Sequence, residues 1–297
     1  MDINFELYKV FYYAGKHLNF SEAANHLYIT QSAVSQSIKQ LEAKLHIQLF
    51  MRHTKKIRLT PEGESLFKYV EQAFFAIKSG ERTLQAIQNL QHGEVRIAAS
   101  DTICKYYLLP YLKEFHQKYP HIKIHITNRP SPVCMELLNN GVVDISVVNM
   151  LNHEAGSSLN IHPFKRIQDV FIAGKAFESL KGEKLSLKSL AGYPFLLLEK
   201  NSTTRRFLDD FLKKYEITLS PEVELDSIDL LIEFTKIGLG ISYVMEDTIK
   251  DALENQDLFI LELEEAVPQR QVAILTHRQI PTPLSAQRFI ELLGISY

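Results

Sequence analysis

Residues 20–45 read FSEAANHLYITQSAVSQSIKQLEAKL, and this stretch decides the fold of the first part of the chain. Ser21 precedes an alanine-rich segment as the expected cap of one short helix, and Thr30 follows a tight turn as the cap of a second helix. The apolar residues of the second helix recur at three- and four-residue steps, which predicts one buried stripe. They are Ala33, Val34, Ile38, Leu41 and Leu45. The pattern is typical of a helix-turn-helix.

The opposite face of the second helix is polar and carries no acid. Its members are Gln31, Ser32, Ser35, Gln36 and Lys39. Gln pairs bidentately with adenine and Ser bonds to several base edges, so such a face suits the DNA major groove. An unrelated helical core rarely keeps five uncharged or basic polar residues on one face. We therefore predict that the four uncharged residues meet bases and that Lys39 meets phosphate.

Basic charge is concentrated in the same part of the chain. Between Gln31 and Thr60, six basic residues stand against the single acid Glu42, although the formal net charge of all 297 residues is only -2. A basic block on an acidic body is expected when one small domain contacts a polyanion. The alternative is a solvated surface with uneven charge.

A second DNA-contacting element is predicted after the helices. Ile57 and Leu59 alternate with polar residues, which indicates a short β-hairpin. The tip of this hairpin carries Arg52, Lys55 and Lys56. Cations placed there contact phosphates or the minor groove and fix the position of the protein without reading sequence.

Together these motifs resemble the winged helix-turn-helix of the LysR-type transcriptional regulators. The resemblance covers residues 1–65 and is carried by residues 20–24, Leu27, residues 31–35, Ile38, Leu41, Glu42, Leu45, Leu49, Phe50, Arg52 and residues 59–63. Two positions depart from the family pattern. His46 stands where Gly is usual, and residues 53–56 read His-Thr-Lys-Lys where Arg is common. The resemblance implies a transcriptional regulator that binds promoter operators in double-stranded DNA.

A long amphipathic helix is predicted next, with Thr60 as its cap and Pro61 at its first position. A heptad-like seam runs along this helix through Leu66, Val70, Ala73, Ile77, Leu84 and Ile87. A seam of that length without a partner in its own chain indicates a second copy. The alternative is a helix packed on its own domain. Because linker helices of the resembled family pair across a dimer, we expect a homo-oligomer, either a dimer or a tetramer.

The rest of the chain alternates short apolar strands with helices, in an order that predicts parallel sheets and two α/β lobes. Residues 139–145 and 235–241 resemble the effector-binding region of the same family, which has the periplasmic-binding-protein fold. The predicted fold is thus a multidomain α/β chain with a winged helix-turn-helix, a linker helix and a two-lobed effector domain. The expected boundaries are 1–59 for DNA binding, 60–91 for the linker, 93–161 with 267–297 for lobe I, and 162–266 for lobe II.

Candidate effector-binding residues follow from the ends of the predicted strands, because ligands of open α/β sheets sit beyond the carboxyl ends of strands, near helix N-termini. The hydroxyl-bearing candidates are Ser100, Thr102, Ser202, Thr203 and Ser227, with Asn149 and Arg205 added. The alternative is that the hydroxyls only cap helices and that Arg205 pairs with Asp209. Hydroxyls and helix N-termini favour a small anion. A flat aromatic effector near Tyr106, Phe164 or Phe195 stays open.

Other classes of function fit the sequence less well. It contains no G-x-S-x-G elbow, phosphate-binding loop or H-E-x-x-H motif, so no enzyme activity, cofactor or metal site is expected. Cys104 and Cys134 are expected to be free thiols, since the helices that follow their strands should lie on opposite faces of a sheet. No apolar run approaches a membrane span, and no secretory signal is apparent, which predicts a cytoplasmic protein without a membrane partner. A small-molecule-binding or transport-related protein without a DNA target, or an enzyme that kept the lobes, explains the body but not the basic helix-turn-helix.

Overall fold

The structure is a computed structural model that describes residues 3–51, 57–88, 93–150 and 158–295. The side chains of residues 82, 83 and 85–88 lie outside this description. The chain divides into two compact units, residues 1–81 and 82–297.

The first unit is a winged helix-turn-helix, as predicted. Its elements are α1 (Phe5–His17), α2 (Phe20–Leu27), α3 (Gln31–Leu45), β1 (Phe50–Met51), β2 (Arg58–Leu59) and the long α4 (Pro61–Gln88), which extends beyond this unit. β1 and β2 pair antiparallel, with Phe50 opposite Leu59. The buried stripe of α3 consists of Val34, Ile38 and Leu41.

Helix ends in this unit follow capping chemistry, with one correction to the sequence analysis. Thr30 caps α3, and its hydroxyl accepts from the Ala33 N–H at 3.2 Å. The cap of α2 is Asn19 rather than Ser21, because the Asn19 side chain accepts from the N–H of Ser21 at 2.9 Å. His46 ends α3 in the left-handed region at φ 56°, which explains why glycine is usual there.

The apolar residues of α4 lie on two faces, not on one seam. Val70 is buried in the core of the first unit together with Phe74, whose ring stacks on Tyr12 at a centroid distance of 4.6 Å. Expecting Val70 on a free seam was therefore wrong, because its side chain is part of the buried core of the first unit. Ile77 and Leu84 are 47% and 63% exposed.

The effector region follows the linker helix and contains the remaining elements. Its first elements are β3 (Gly93–Ala99), α5 (Asp101–Ile103), a π-helical turn (Cys104–Leu108), α6 (Leu109–Lys118), β4 (Ile122–Asn128), α7 (Ser131–Asn139), β5 (Ile145–Met150) and β6 (Leu159–Ile167). There follow β7 (Asp169–Gly174), a 3-10 helix (Lys175–Leu180), β8 (Lys184–Leu185), α8 (Leu187–Leu190), β9 (Phe195–Leu198), α9 (Thr203–Lys213), β10 (Val223–Leu225), α10 (Ile228–Lys236), β11 (Ile241–Met245), a 3-10 turn (Glu246–Thr248), α11 (Lys250–Glu254), β12 (Leu258–Ile260) and β13 (Glu262–Leu263). The chain then returns to the first lobe with β14 (Arg270–His277) and α12 (Leu284–Leu292).

Two five-stranded sheets form the two lobes. The strand orders are β4-β3-β5-β14-β6 in lobe I and β10-β9-β11-β7-β12 in lobe II. β3 pairs parallel with β4 and β5, and β9 pairs parallel with β10 and β11, which confirms the predicted parallel pairing. The expected lobe boundary at residues 161–162 is wrong, because β6 pairs with β14 as far as Ile167 and the chain changes lobe at Gln168.

Within the described part of the chain, no helix is both long and apolar enough to span a membrane. The same residues contain no cluster of three or more His, Cys, Asp or Glu side chains suited to a metal ion. Cys104 and Cys134 are both free thiols, and burial raises the pKa of Cys104 to about 11 and that of Cys134 to about 12.

Candidate functional site

The candidate DNA-contacting face of α3 is open to solvent. Gln31, Ser32, Gln36 and Lys39 are exposed, and Ser35 is half-buried at the edge of the same face. The Ser32 hydroxyl also contacts the hydroxyl of the cap residue Thr30 at 2.9 Å. The helix therefore presents amides, a hydroxyl and a cation along its first half, which begins at the Thr30 cap.

The Glu42 carboxylate, noted in the sequence only as the single acid of the basic block and as part of the family resemblance, positions the wing. Oε1 of Glu42 accepts from the backbone N–H of Leu49 at 2.9 Å and from that of Phe50 at 3.2 Å. This ties the end of α3 to β1. The predicted wing-tip residues Arg52, Lys55 and Lys56 lie outside the described residues.

A candidate pairing face runs along α4. Tyr69, Ala73, Ile77 and Leu84 are exposed and follow one another at four- and seven-residue steps. Leu66 is half-buried and borders the core of the first unit. The side chain of Ile87 lies outside the described residues.

The candidate effector site is a cavity of about 70 Å³ between the two lobes. Its walls include five of the predicted residues, Ser100, Thr102, Asn149, Ser202 and Thr203. Since a single water needs about 10–15 Å³ measured in this way, there is room for a few water-sized groups. The strand ends named by sequence reasoning thus converge on one small site.

Several polar groups in this cavity have no protein partner. Among the described residues, the buried atoms Asn149 Oδ1 and Thr203 Oγ1 have no hydrogen-bond partner, and the two residues are only 6% and 5% exposed. Ser202 is the N-cap of α9, yet its hydroxyl makes no capping bond. Thr203 is also the first residue of α9, where helical N–H groups lack intrahelical acceptors and the helix dipole favours an anion.

Two predicted effector residues lie outside the cavity. Arg205 is buried in lobe II, where Nε donates to Asp209 at 3.0 Å and Nη1 donates to the Leu198 carbonyl at 3.0 Å. Ser227 caps α10, and its hydroxyl accepts from the Leu230 N–H at 3.4 Å. For these two positions the structure favours the alternatives, an ion pair and a helix cap.

Other residues of the cavity were missed by the sequence analysis. They are Asp101, Asn128, Arg129, Pro130, Ser131, Leu198, Thr204, Asp226, Ile228 and Met245. Asn128 is the last residue of β4 and Ser131 follows that strand, so the reasoning applied to β3 would have found them. Asp101 and Asp226 add negative charge to the walls and Arg129 adds positive charge, which limits the net charge of an anion that fits.

The aromatic side chains considered for a flat effector are used elsewhere. The Tyr106 hydroxyl donates to Asp229 at 2.7 Å, Phe164 packs edge-on against Tyr111, and Phe195 is buried in the core of lobe II. None of the three lines the described cavity.

Two sets of contacts that include ion pairs join lobe I to lobe II. Lys105 and Tyr106 of lobe I bond to Asp229 of lobe II, with the Lys105 Nζ at 2.9 Å. Burial raises the pKa of Asp229, but these two hydrogen bonds outweigh burial and hold the pKa below its ordinary value. The carboxylate is therefore ionised at neutral pH and available for the contact.

The second contact between the lobes is centred on Asp247. Asp247 of lobe II accepts from the Tyr107 hydroxyl at 3.0 Å and pairs with Lys165 at 3.1 Å. Burial raises the pKa of Asp247, but hydrogen bonds from Lys250, Lys165 and Tyr107 lower it overall. Both contacts hold the lobes in the arrangement that encloses the cavity.

A winged helix-turn-helix followed by a two-lobed α/β domain with a polar interlobe cavity defines a ligand-responsive DNA-binding regulator. The chain belongs to the LysR family of transcriptional regulators, and its function is the regulation of transcription. Residues 5–64 match the bacterial regulatory helix-turn-helix protein model of the lysR family, and residues 88–295 match the LysR substrate binding domain. The resemblance seen in the sequence is confirmed.

Individual relatives agree with this assignment. Over 282 residues the chain is 29% identical to a protein of Cyanidium caldarium described as "Probable RuBisCO transcriptional regulator", covering 93% of this chain and 89% of that one. A full-length OxyR variant from Pseudomonas aeruginosa shares the fold, with a TM-score of 0.74, 18% identity and coverage of 99% and 96%. The regulatory domain of Synechocystis CcmR, solved in complex with 2-PG, has a TM-score of 0.62 and 25% identity, and covers 68% of this chain and 96% of that one.

Proposed function

We propose that this LysR-type regulator responds to a small anion bound in the interlobe cavity. The observation that carries the proposal is that two buried polar atoms without a partner among the described residues line this cavity, Asn149 Oδ1 from β5 and Thr203 Oγ1 from the N-terminus of α9. A buried polar group without a partner costs about 1–3 kcal/mol, and a ligand that bonds to it recovers this free energy. The free N–H groups of α9 and the hydroxyls of Ser202 and Thr203 are donors and suit negative oxygens, whereas Asn149 Oδ1 is an acceptor and suits a donor group on the same ligand.

The CcmR regulatory domain supports the choice of a first ligand to test, since that domain was solved with 2-PG. Asn149 supplies an amide that either donates or accepts a hydrogen bond, and it suits a second polar group of the same molecule. The acids Asp101 and Asp226 line the cavity, so we infer a compact anion whose charged end lies at α9.

The proposed DNA contacts are those of the sequence analysis. Base contacts are made by Gln31, Ser32, Ser35 and Gln36, and phosphate or minor-groove contacts by Lys39, Arg52, Lys55 and Lys56. The exposure of Gln31, Ser32, Gln36 and Lys39 supports these contacts, and Ser35 lies half-buried at the edge of the same face. The wing-tip residues are proposed from sequence alone.

We also propose that a second copy of the chain pairs along the exposed face of α4. Apolar side chains at helical spacing that stay open to solvent, such as Ile77 and Leu84, support this assembly. A dimer presents two recognition helices to two operator half-sites.

The cavity is tested by titration calorimetry of the full chain with 2-PG, with inorganic phosphate and with glycerol as a neutral control. We expect 2-PG or phosphate to bind and glycerol not to bind. Thr203→Val removes one donor and should weaken binding about tenfold or more. Ser227→Ala is the matched control, since this cap lies outside the cavity, and it should bind as the unmodified chain does. Equal affinity of the Thr203→Val and unmodified chains would contradict the proposed site.

A further inference from the structure

A fully buried ion pair joins the two lobes where the chain crosses between them. The Arg270 guanidinium donates from Nε and Nη2 to the two carboxylate oxygens of Asp169, at 2.5 Å and 2.6 Å. Neither side chain is exposed to solvent. Two parallel N–H···O bonds are the geometry in which an arginine–carboxylate pair is strongest.

Both residues stand at crossovers. Asp169 is the first residue of β7, directly after Gln168, and Arg270 is the first residue of β14, where the chain has returned to lobe I. The Gln168 side chain also donates to the carbonyl of Val267 at 3.1 Å. Two separate contacts therefore join the two crossovers.

The same guanidinium reaches the wall of the cavity. Nη2 of Arg270 donates to Thr204 Oγ1 at 3.2 Å, and the guanidinium carbon lies 5.1 Å from the ring centroid of Phe207 in the same helix. Thr204 is buried and lines the cavity beside Thr203. Its hydroxyl accepts from Arg270, which leaves its own proton for a group in the cavity.

Stability alone does not explain this arrangement. Removing two charges from water is costly, and apolar replacements of buried ion pairs are often neutral or stabilising. Arg270 Nη1 is also buried, and it has no hydrogen-bond partner in the part of the chain that the structure describes. Such free-energy costs are expected where a buried ion pair serves to select one conformation of the protein.

We propose that Arg270 is a positioning residue that couples the cavity to the angle between the lobes. Its bonds to Asp169 hold the crossovers, and its bond to Thr204 connects them to the first turn of α9. We name Asp169, Thr204 and Arg270 the crossover latch. An anion that accepts from Thr204 moves this turn and, through Arg270, both crossovers. The coupling rests on the proposed function of the cavity, whereas the latch itself rests on the contacts above.

The latch is tested without any ligand by amide hydrogen exchange of the full chain. In Arg270→Lys, one ammonium cannot reproduce the two-bond fork and the Thr204 contact, so exchange at residues 165–172 and 267–273 should accelerate about tenfold. Arg205→Lys is the matched control, since Arg205 is a buried arginine paired within lobe II. It should accelerate exchange near α9 and leave the crossovers unchanged. Unchanged crossovers in Arg270→Lys, or equal acceleration in the control, would overturn the latch.

The coupling is tested with 2-PG as the probe, at saturating concentration for each variant. In the unmodified chain and in Thr204→Ser, which keeps the hydroxyl, 2-PG should change exchange at both crossovers. In Thr204→Val the probe should bind and leave the crossovers unchanged. A crossover response in Thr204→Val equal to that of the unmodified chain would refute the coupling. If the unmodified chain does not bind 2-PG, the proposed ligand is wrong, and the ligand-free exchange of Arg270→Lys still decides the latch.

Discussion

The recognition helix and the interlobe cavity are both polar, but they hold their polar groups in opposite states. Gln31, Gln36 and Lys39 on α3 are exposed and hydrated, so they carry no cost in the free protein. Asn149 and Thr203 are buried without partners, which costs stability until a ligand arrives. The first surface selects its partner by complementarity, whereas the second also gains free energy when a ligand bonds to polar groups that have no partner in the protein.

Helix α4 also has one buried face and one solvated face. A charged residue on its buried face should have the largest effect on stability. Val70→Asp places a charge in the core of the first unit and should lower its free energy of unfolding by about 3–5 kcal/mol, measured by urea denaturation followed by circular dichroism. Ile77→Asp changes an exposed residue and should leave the fold intact while shifting the mass from oligomer to monomer in light scattering. If Ile77→Asp keeps the oligomer of the unmodified chain, the proposed pairing face is wrong.

How much of a region can be predicted from the sequence depends on whether the residues that determine its structure are close together in the chain. The helix-turn-helix follows from spacing within 26 residues, because caps such as Thr30 and the stripe of α3 are set by neighbours in the chain. The burial of Val70 does not follow from local spacing, since Val70 belongs to a core that includes residues of α1, which are distant in sequence.

The cavity shows the same limit. Strand ends predicted Ser100, Asn149 and Thr203, because parallel sheets gather the carboxyl ends of their strands. The pattern did not separate a residue that faces the cavity from one that caps a helix or pairs within a lobe, as Ser227 and Arg205 do. That distinction depends on the direction of a side chain in the folded lobe. The latch pairs residues 101 positions apart and has no local signal.

An effect of intermediate size is expected at the exposed face of α3, where a base contact and a phosphate contact can be removed one at a time. Gln36→Ala should cost about 1–3 kcal/mol of binding to the cognate operator and little binding to unrelated DNA, because an amide reads base edges. Lys39→Ala should weaken binding to both sequences alike and reduce the salt slope by about one, because it removes a phosphate contact. Gel-shift titrations at several salt concentrations measure both. A Gln36→Ala variant that loses affinity equally for both DNAs would place Gln36 on the backbone instead of a base.

The smallest expected effect tests this comparison most directly. Replacing each of two adjacent threonines by valine should change the stability of the effector region in opposite directions. Thr203 Oγ1 is buried without a partner, so Thr203→Val removes an unsatisfied group and should stabilise the effector region by about 1 kcal/mol. Thr204 Oγ1 accepts from Arg270, so Thr204→Val leaves a charged donor with one partner fewer and should destabilise by about 1–3 kcal/mol. Scanning calorimetry of the full chain without ligand measures both, at roughly 2–4 °C for each kcal/mol in a region of this size. A Thr203→Val variant that melts below the unmodified chain would show that its hydroxyl is satisfied in the free protein, and the cavity would then resemble the recognition helix rather than contrast with it.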